Sequence, residues 1–164
     1  MSEPGRSARY QEVRVRLEAL LDGEDDWIAA LSTVVCELHG AFAHYDWTGF
    51  YRVTAPALLT VGPYQGGHGC LRISFDRGVC GAAARSRVTQ RVDSVADRPD
   101  HIACSATTQS EIVVPVLAPD GQLLAVLDVD SDRPAAFDDV DQQALEAICR
   151  ELGARFPRGV VTAR

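Results

Sequence analysis

Apolar residues recur at helical spacing over residues 7 to 22, where Tyr10, Val13, Leu17, Leu20 and Leu21 form one stripe. Asp22-Gly23 closes that helix. A second stripe, Trp27, Ile28, Leu31, Val34, Val35 and Leu38, predicts a helix capped by Asp25 or Asp26. The period then changes. Residues 45 to 53 are rich in aromatic and β-branched types and read as a strand, followed across a turn holding Pro56 by a strand from Leu58 to Val61. Residues 62 to 69 read as a glycine-dense mobile loop. Short strands are expected at 70–73 and 89–92, on either side of a small-residue helix at 78–85. Residues 93 to 110 carry no strong period, and a loop of that length in a compact domain points to function. Ile112–Leu117 and Leu123–Val129 are almost wholly apolar, so both of their faces should be covered; Ala118-Pro119-Asp120-Gly121 between them predicts a hairpin. Val140, Leu145, Ile148 and Leu152 predict a closing helix over 137–154, started by Asp138 or Asp139.

This order predicts an α+β fold: a central antiparallel sheet of about six strands with the N- and C-terminal helices packed on it. A length of 164 residues suits one domain with a real core. Residues 1–22 are expected to form an N-terminal helix, on the domain or at a dimer interface, residues 23–157 the domain itself, and residues 158–164 a tail.

Composition narrows the classes. A net charge of −7 disfavours nucleic acid or an anionic membrane as partner. There is no apolar run of membrane-spanning length, and the first residues show no secretory pattern, so a cytoplasmic location is expected. The five cysteines, Cys36, Cys70, Cys80, Cys104 and Cys149, show neither C-x-x-C nor zinc-ligand spacing, so no metal and no structural disulfide are expected. Cys36 and Cys149 lie within helical patterns and read as buried packing residues.

One stretch gathers the chemistry. Cys104 sits in a polar, small-residue loop, where reactive thiols occur. Glu111 follows where a strand should begin, and the next strand runs into Asp128 and Asp130. A thiol and three acids thus collect around two neighbouring strands. Trp47 and Tyr51 lie an even number apart on a strand, so they share a face and can form an apolar wall or simply pack the core. His101 precedes the thiol by three positions, but no orienting group supports protease-like activation.

Six blocks carry a resemblance: Trp47-Thr48-Gly49-Phe50-Tyr51, Gly62-Pro63-Tyr64-Gln65-Gly66, Gly78-Val79-Cys80-Gly81, His101-Ile102-Ala103-Cys104, Ser110-Glu111-Ile112-Val113-Val114-Pro115 and Leu127-Asp128-Val129-Asp130-Ser131. In this order the chain resembles the free methionine-(R)-sulfoxide reductases, which are single GAF domains. Ser105 stands where that family usually has Asp, and the loop before Cys70 is richer in glycine than is usual there. The resemblance implies a GAF fold, a homodimer, thioredoxin as electron donor and no cofactor. It implies Cys104 as nucleophile, leaving a sulfenic acid, and Cys70 as the resolving thiol that closes a Cys70–Cys104 disulfide. Cys80, the third family cysteine, is a second resolving thiol or a buried residue. Trp47 and Tyr51 would hold the apolar end of the substrate, and Glu111, Asp128 and Asp130 its ammonium and the departing oxygen. The competing expectation is a ligand-binding or redox-sensing GAF module without turnover.

Overall fold

The structure is a computed structural model and describes residues 5–97 and 106–158. Helices α1 (Arg6–Leu20) and α2 (Trp27–Ala41) precede strands β1 (Trp47–Ala55), β2 (Leu58–Gln65) and β3 (Arg72–Ser74). Helix α3 (Gly78–Ser86) and β4 (Gln90–Val92) follow, then β5 (Ser110–Leu117), β6 (Leu123–Ser131) and α4 (Asp139–Arg155). The strands form one sheet in the order β3-β2-β1-β6-β5-β4, with every neighbouring pair antiparallel. This is the expected α+β arrangement. No helix among the described residues is long and apolar enough to cross a membrane.

Strand alternation divides the core in two. Phe50, Ile112, Val114, Leu127 and Val129 face α1, α2 and α4. Tyr51, Val113 and Val126 face the other way, toward α3, with Trp47 and Cys80. The central strands β5 and β6 are buried almost throughout, as their unbroken apolar sequence requires.

Capping fixes the helix starts. The Asp26 carboxylate accepts from Ala29 N–H at 2.8 Å. Asp138 caps α4 in a capping box with Asp141. Helix α1 has no side-chain cap; it is tied to α4 through Asp141, which is fully buried. That carboxylate accepts from Tyr10 Oη at 2.7 Å, Arg6 Nη1 at 2.6 Å and Asp138 N–H at 2.8 Å. Tyr45, also buried, is hydrogen-bonded to Tyr10 through their hydroxyls. Asp141→Ala is expected to lower unfolding free energy by about 3 kcal/mol in urea titration, because it leaves the buried Tyr10 hydroxyl without its acceptor and Arg6 with only the exposed Asp138 as partner.

The sheet departs from the sequence reading at three places. Strand β1 begins at Trp47, and Tyr45 joins the helix-side core instead. Residues Gly62 to Gln65 belong to β2, not to a loop: Gly49 pairs with Tyr64 and Thr48 with Gln65. A register shift lies between the Gly49–Tyr64 and Tyr51–Val61 pairs, so the glycine and proline sit in a bulge, where a missing N–H is tolerated. Cys70 lies ahead of β3 and not within it.

Candidate active site

The face turned toward α3 carries the chemistry. Pairing sets Glu111 opposite Asp130, and Asp128 opposite both Val113 and Gly49. One carboxylate oxygen from each acid falls within 4.8 Å of the other two. Glu111 is 5% and Asp128 7% exposed, while Asp130 is half-buried. Three carboxyls this close cannot all ionise cheaply. Burial, and then the charge of Glu111, push the Asp128 carboxyl well above the usual range, against a hydrogen bond from the Cys80 thiol. Asp128 Oδ1 has no hydrogen-bond partner. The three oxygens are close enough to surround one positively charged group, ammonium or metal ion.

Cys80 lies in the first turn of α3 and is buried. Burial, followed by the charges of Asp128 and Glu111, raises its thiol well above the ordinary cysteine value. It is therefore a neutral S–H directed at a carboxyl, and a poor thiolate.

Trp47 and Tyr51 share this face, as their spacing predicts. Their rings stack at 5.7 Å between centroids, and Tyr64 also stacks with Trp47 at 5.4 Å. Gly49 makes this possible: a Cβ there would lie 2.5 Å from both Trp47 Cη2 and Tyr64 Cβ. The Trp47 indole N–H donates to the Gly67 carbonyl at 3.0 Å. Beside this wall opens a cavity of ≈ 470 Å³, lined by Asp46, Trp47, His68, Thr107, Thr108, Asp130 and Asp132. That is the size of a small-molecule site.

Cys70 is held in a disulfide and packs against the cluster that contains Trp47, Tyr51 and Cys80. Cys36, Cys80 and Cys149 are free. Cys149 is buried as expected, but Cys36 is exposed. His101, Cys104 and Ser105 lie outside the described residues.

The structure thus brings together Trp47, Tyr51, Glu111, Asp128, Asp130, Cys80 and the Cys70 segment. The space Gly49 leaves for two rings, the Gly67 carbonyl as the indole's partner, and Asp46 and Asp132 at the cavity are set by the fold and not by local sequence pattern. Asp46 Oδ2 accepts from Asp132 N–H at 2.7 Å and so clasps the start of β1 to the end of β6. The only sign of that clasp in sequence is an acid directly before the aromatic block.

A six-stranded antiparallel sheet with helices on one face and a ligand-sized cup on the other is the architecture of a GAF domain, and the GAF domain model matches residues 25–155. The chain is 38% identical to the free methionine-R-sulfoxide reductase of Saccharomyces cerevisiae, over 85% of this chain and 81% of that protein. It is 36% identical to the Escherichia coli protein of the same name, over 87% and 86%. It superposes on the crystal structure of free methionine-R-sulfoxide reductase from Neisseria meningitidis in complex with its substrate, with a TM-score of 0.89 and 41% identity, covering 97% of this chain and 95% of that one. The chain belongs to the free methionine-R-sulfoxide reductase family of GAF domains, a family of oxidoreductases.

Proposed function

We propose that the protein reduces free L-methionine-(R)-S-oxide to L-methionine by thiol chemistry. The observation that carries the reading is a disulfide-bonded Cys70 packed against the same cluster as the aromatic wall, beside three acids. The family's reductase names support the substrate.

The Cys104 thiolate attacks the sulfoxide sulfur. The oxygen leaves that sulfur and ends on Cys104 as a sulfenic acid, and methionine departs with its sulfur reduced by two electrons. The Cys70 thiol then attacks the sulfenic sulfur, forming a Cys70–Cys104 disulfide and expelling water. A thioredoxin dithiol returns the pair to thiols. Trp47 and Tyr51 hold the substrate's methyl and methylene groups. Glu111 and Asp130 face the ammonium and the departing oxygen, and Asp128, holding its proton more tightly than an ordinary acid, serves as proton source. Cys80 is the neutral partner of Asp128 and not a second resolving thiol. The working form is a cytoplasmic homodimer.

The test is NADPH consumption with thioredoxin and thioredoxin reductase, on the separate R and S epimers of the free sulfoxide. Turnover of the R epimer is the expected result. Binding of that epimer without turnover would move the protein to the sensing class instead.

A further inference from the structure

The two rings assigned to the substrate also grip the segment that carries Cys70. Trp47 Nε1–H donates to the Gly67 carbonyl at 3.0 Å. At Gly69 a Cβ would lie 2.9 Å from Trp47 Cζ2 and 3.0 Å from the Tyr51 hydroxyl oxygen, so this backbone runs directly across both rings. The next residue is Cys70, so that hydroxyl lies against the backbone leading directly into it. Tyr51 is 1% exposed. A phenol so deeply buried needs a polar neighbour, and the backbone at Gly69 is the one its hydroxyl lies against.

We propose that Tyr51 is a positioning residue for the second thiol step: its ring serves the substrate, while its hydroxyl holds the backbone leading into Cys70 where the thiol can reach the sulfenic sulfur. The inference rests on the thiol reading above. Disulfide closure requires Cα atoms within about 7 Å and tolerates little misplacement. Cys70 lies outside the sheet ladder, ahead of β3. Strand pairing reaches only the residue after it, where the Leu71 carbonyl accepts from Val61 N–H, and the ring contacts hold the residues before it. Trp47 acts on the same segment three residues earlier, through Gly67. Burial, then the charges of Asp128 and Cys80, raise the Tyr51 phenol above its ordinary value. The hydroxyl thus stays neutral through the working range.

The test separates the two thiol steps in a single turnover without reductant. Methionine release reports the first step. Loss of the Cys70 thiol, with dimedone trapping of the sulfenic acid, reports the second. In Tyr51→Phe the ring remains and the hydroxyl goes. The ratio of second-step to first-step rate is expected to fall about tenfold, with trapped sulfenic acid accumulating. Trp47→Phe, which removes the indole N–H, should move the ratio in the same direction and serves if Tyr51→Phe does not fold. An unchanged ratio in the folded variant, or a loss confined to methionine release, overturns the proposal. A wild-type protein that releases methionine without consuming Cys70 overturns the thiol reading itself.

Discussion

Cys104→Ser is expected to abolish NADPH consumption with the R-sulfoxide, whereas Cys70→Ser is expected to release one methionine per chain and then stop. The two variants divide the reaction at the sulfenic acid. Serine at position 104 cannot supply a thiolate, and a hydroxyl is a far weaker nucleophile toward sulfur, so turnover should fall by at least about a thousandfold. Serine at position 70 leaves the first step its nucleophile but removes the thiol that expels water from the sulfenic acid. Quantifying methionine per chain by mass spectrometry, with thioredoxin present, checks both. Sustained turnover by Cys70→Ser would mean that thioredoxin attacks the sulfenic acid directly, and the disulfide assigned to the cycle would have to be dropped.

Asp128→Asn is expected to make the protein more stable and much less active. In the native state this carboxyl is held well above its usual pKa, mainly by burial and then by Glu111. The folded chain therefore binds the proton more tightly than the unfolded chain. Stability from this group is complete below about pH 4 and is lost as pH rises through the folded pKa. An amide cannot titrate, so the variant should lose that slope and gain about 2 kcal/mol at pH 8, visible as a melting temperature several degrees higher. The same change removes the proton source near the departing oxygen, and turnover should fall about a hundredfold or more. An unchanged melting temperature at pH 8, together with a full wild-type pH slope, would contradict this account. Substrate ammonium should relieve the same crowding in the wild type, so attack by the thiolate waits for substrate. An unaltered pH–rate profile in Glu111→Gln and Asp130→Asn counts against that link.

Local chemistry was readable from the residues and long-range pairing was not. Trp47 and Tyr51 could be placed on one face because strand geometry repeats every two residues. Asp26 and Asp138 announce their helices by capping chemistry that acts within three residues. That Glu111 stands opposite Asp130, and that Cys80 meets Asp128, depends on sheet register and helix docking, which no local pattern encodes. The segment from Gly62 to Gln65 reads as a loop because glycine and proline normally end strands, while in the fold a bulge absorbs them. Cys36 was expected to be buried although it stands opposite the stripe of Leu31, Val34 and Leu38 on the helical wheel; the periodicity already placed it outside, where the structure has it.

The bulged end of β2 frees the segment that follows it from the sheet. Pairing between β2 and β3 runs from Leu58 to Thr60, and Val61 N–H adds a bond to the Leu71 carbonyl. Beyond that, Pro63 has no N–H to extend the ladder. The stretch before Leu71 is therefore not zipped onto the sheet as a further rung. A cysteine woven into a ladder could shift its backbone toward a new partner only by breaking ladder pairs. Here the chain leaves the weave just before Cys70 and sets Gly67 and Gly69 against two aromatic rings, so a change of sulfur partner at Cys70 would leave the six strands untouched.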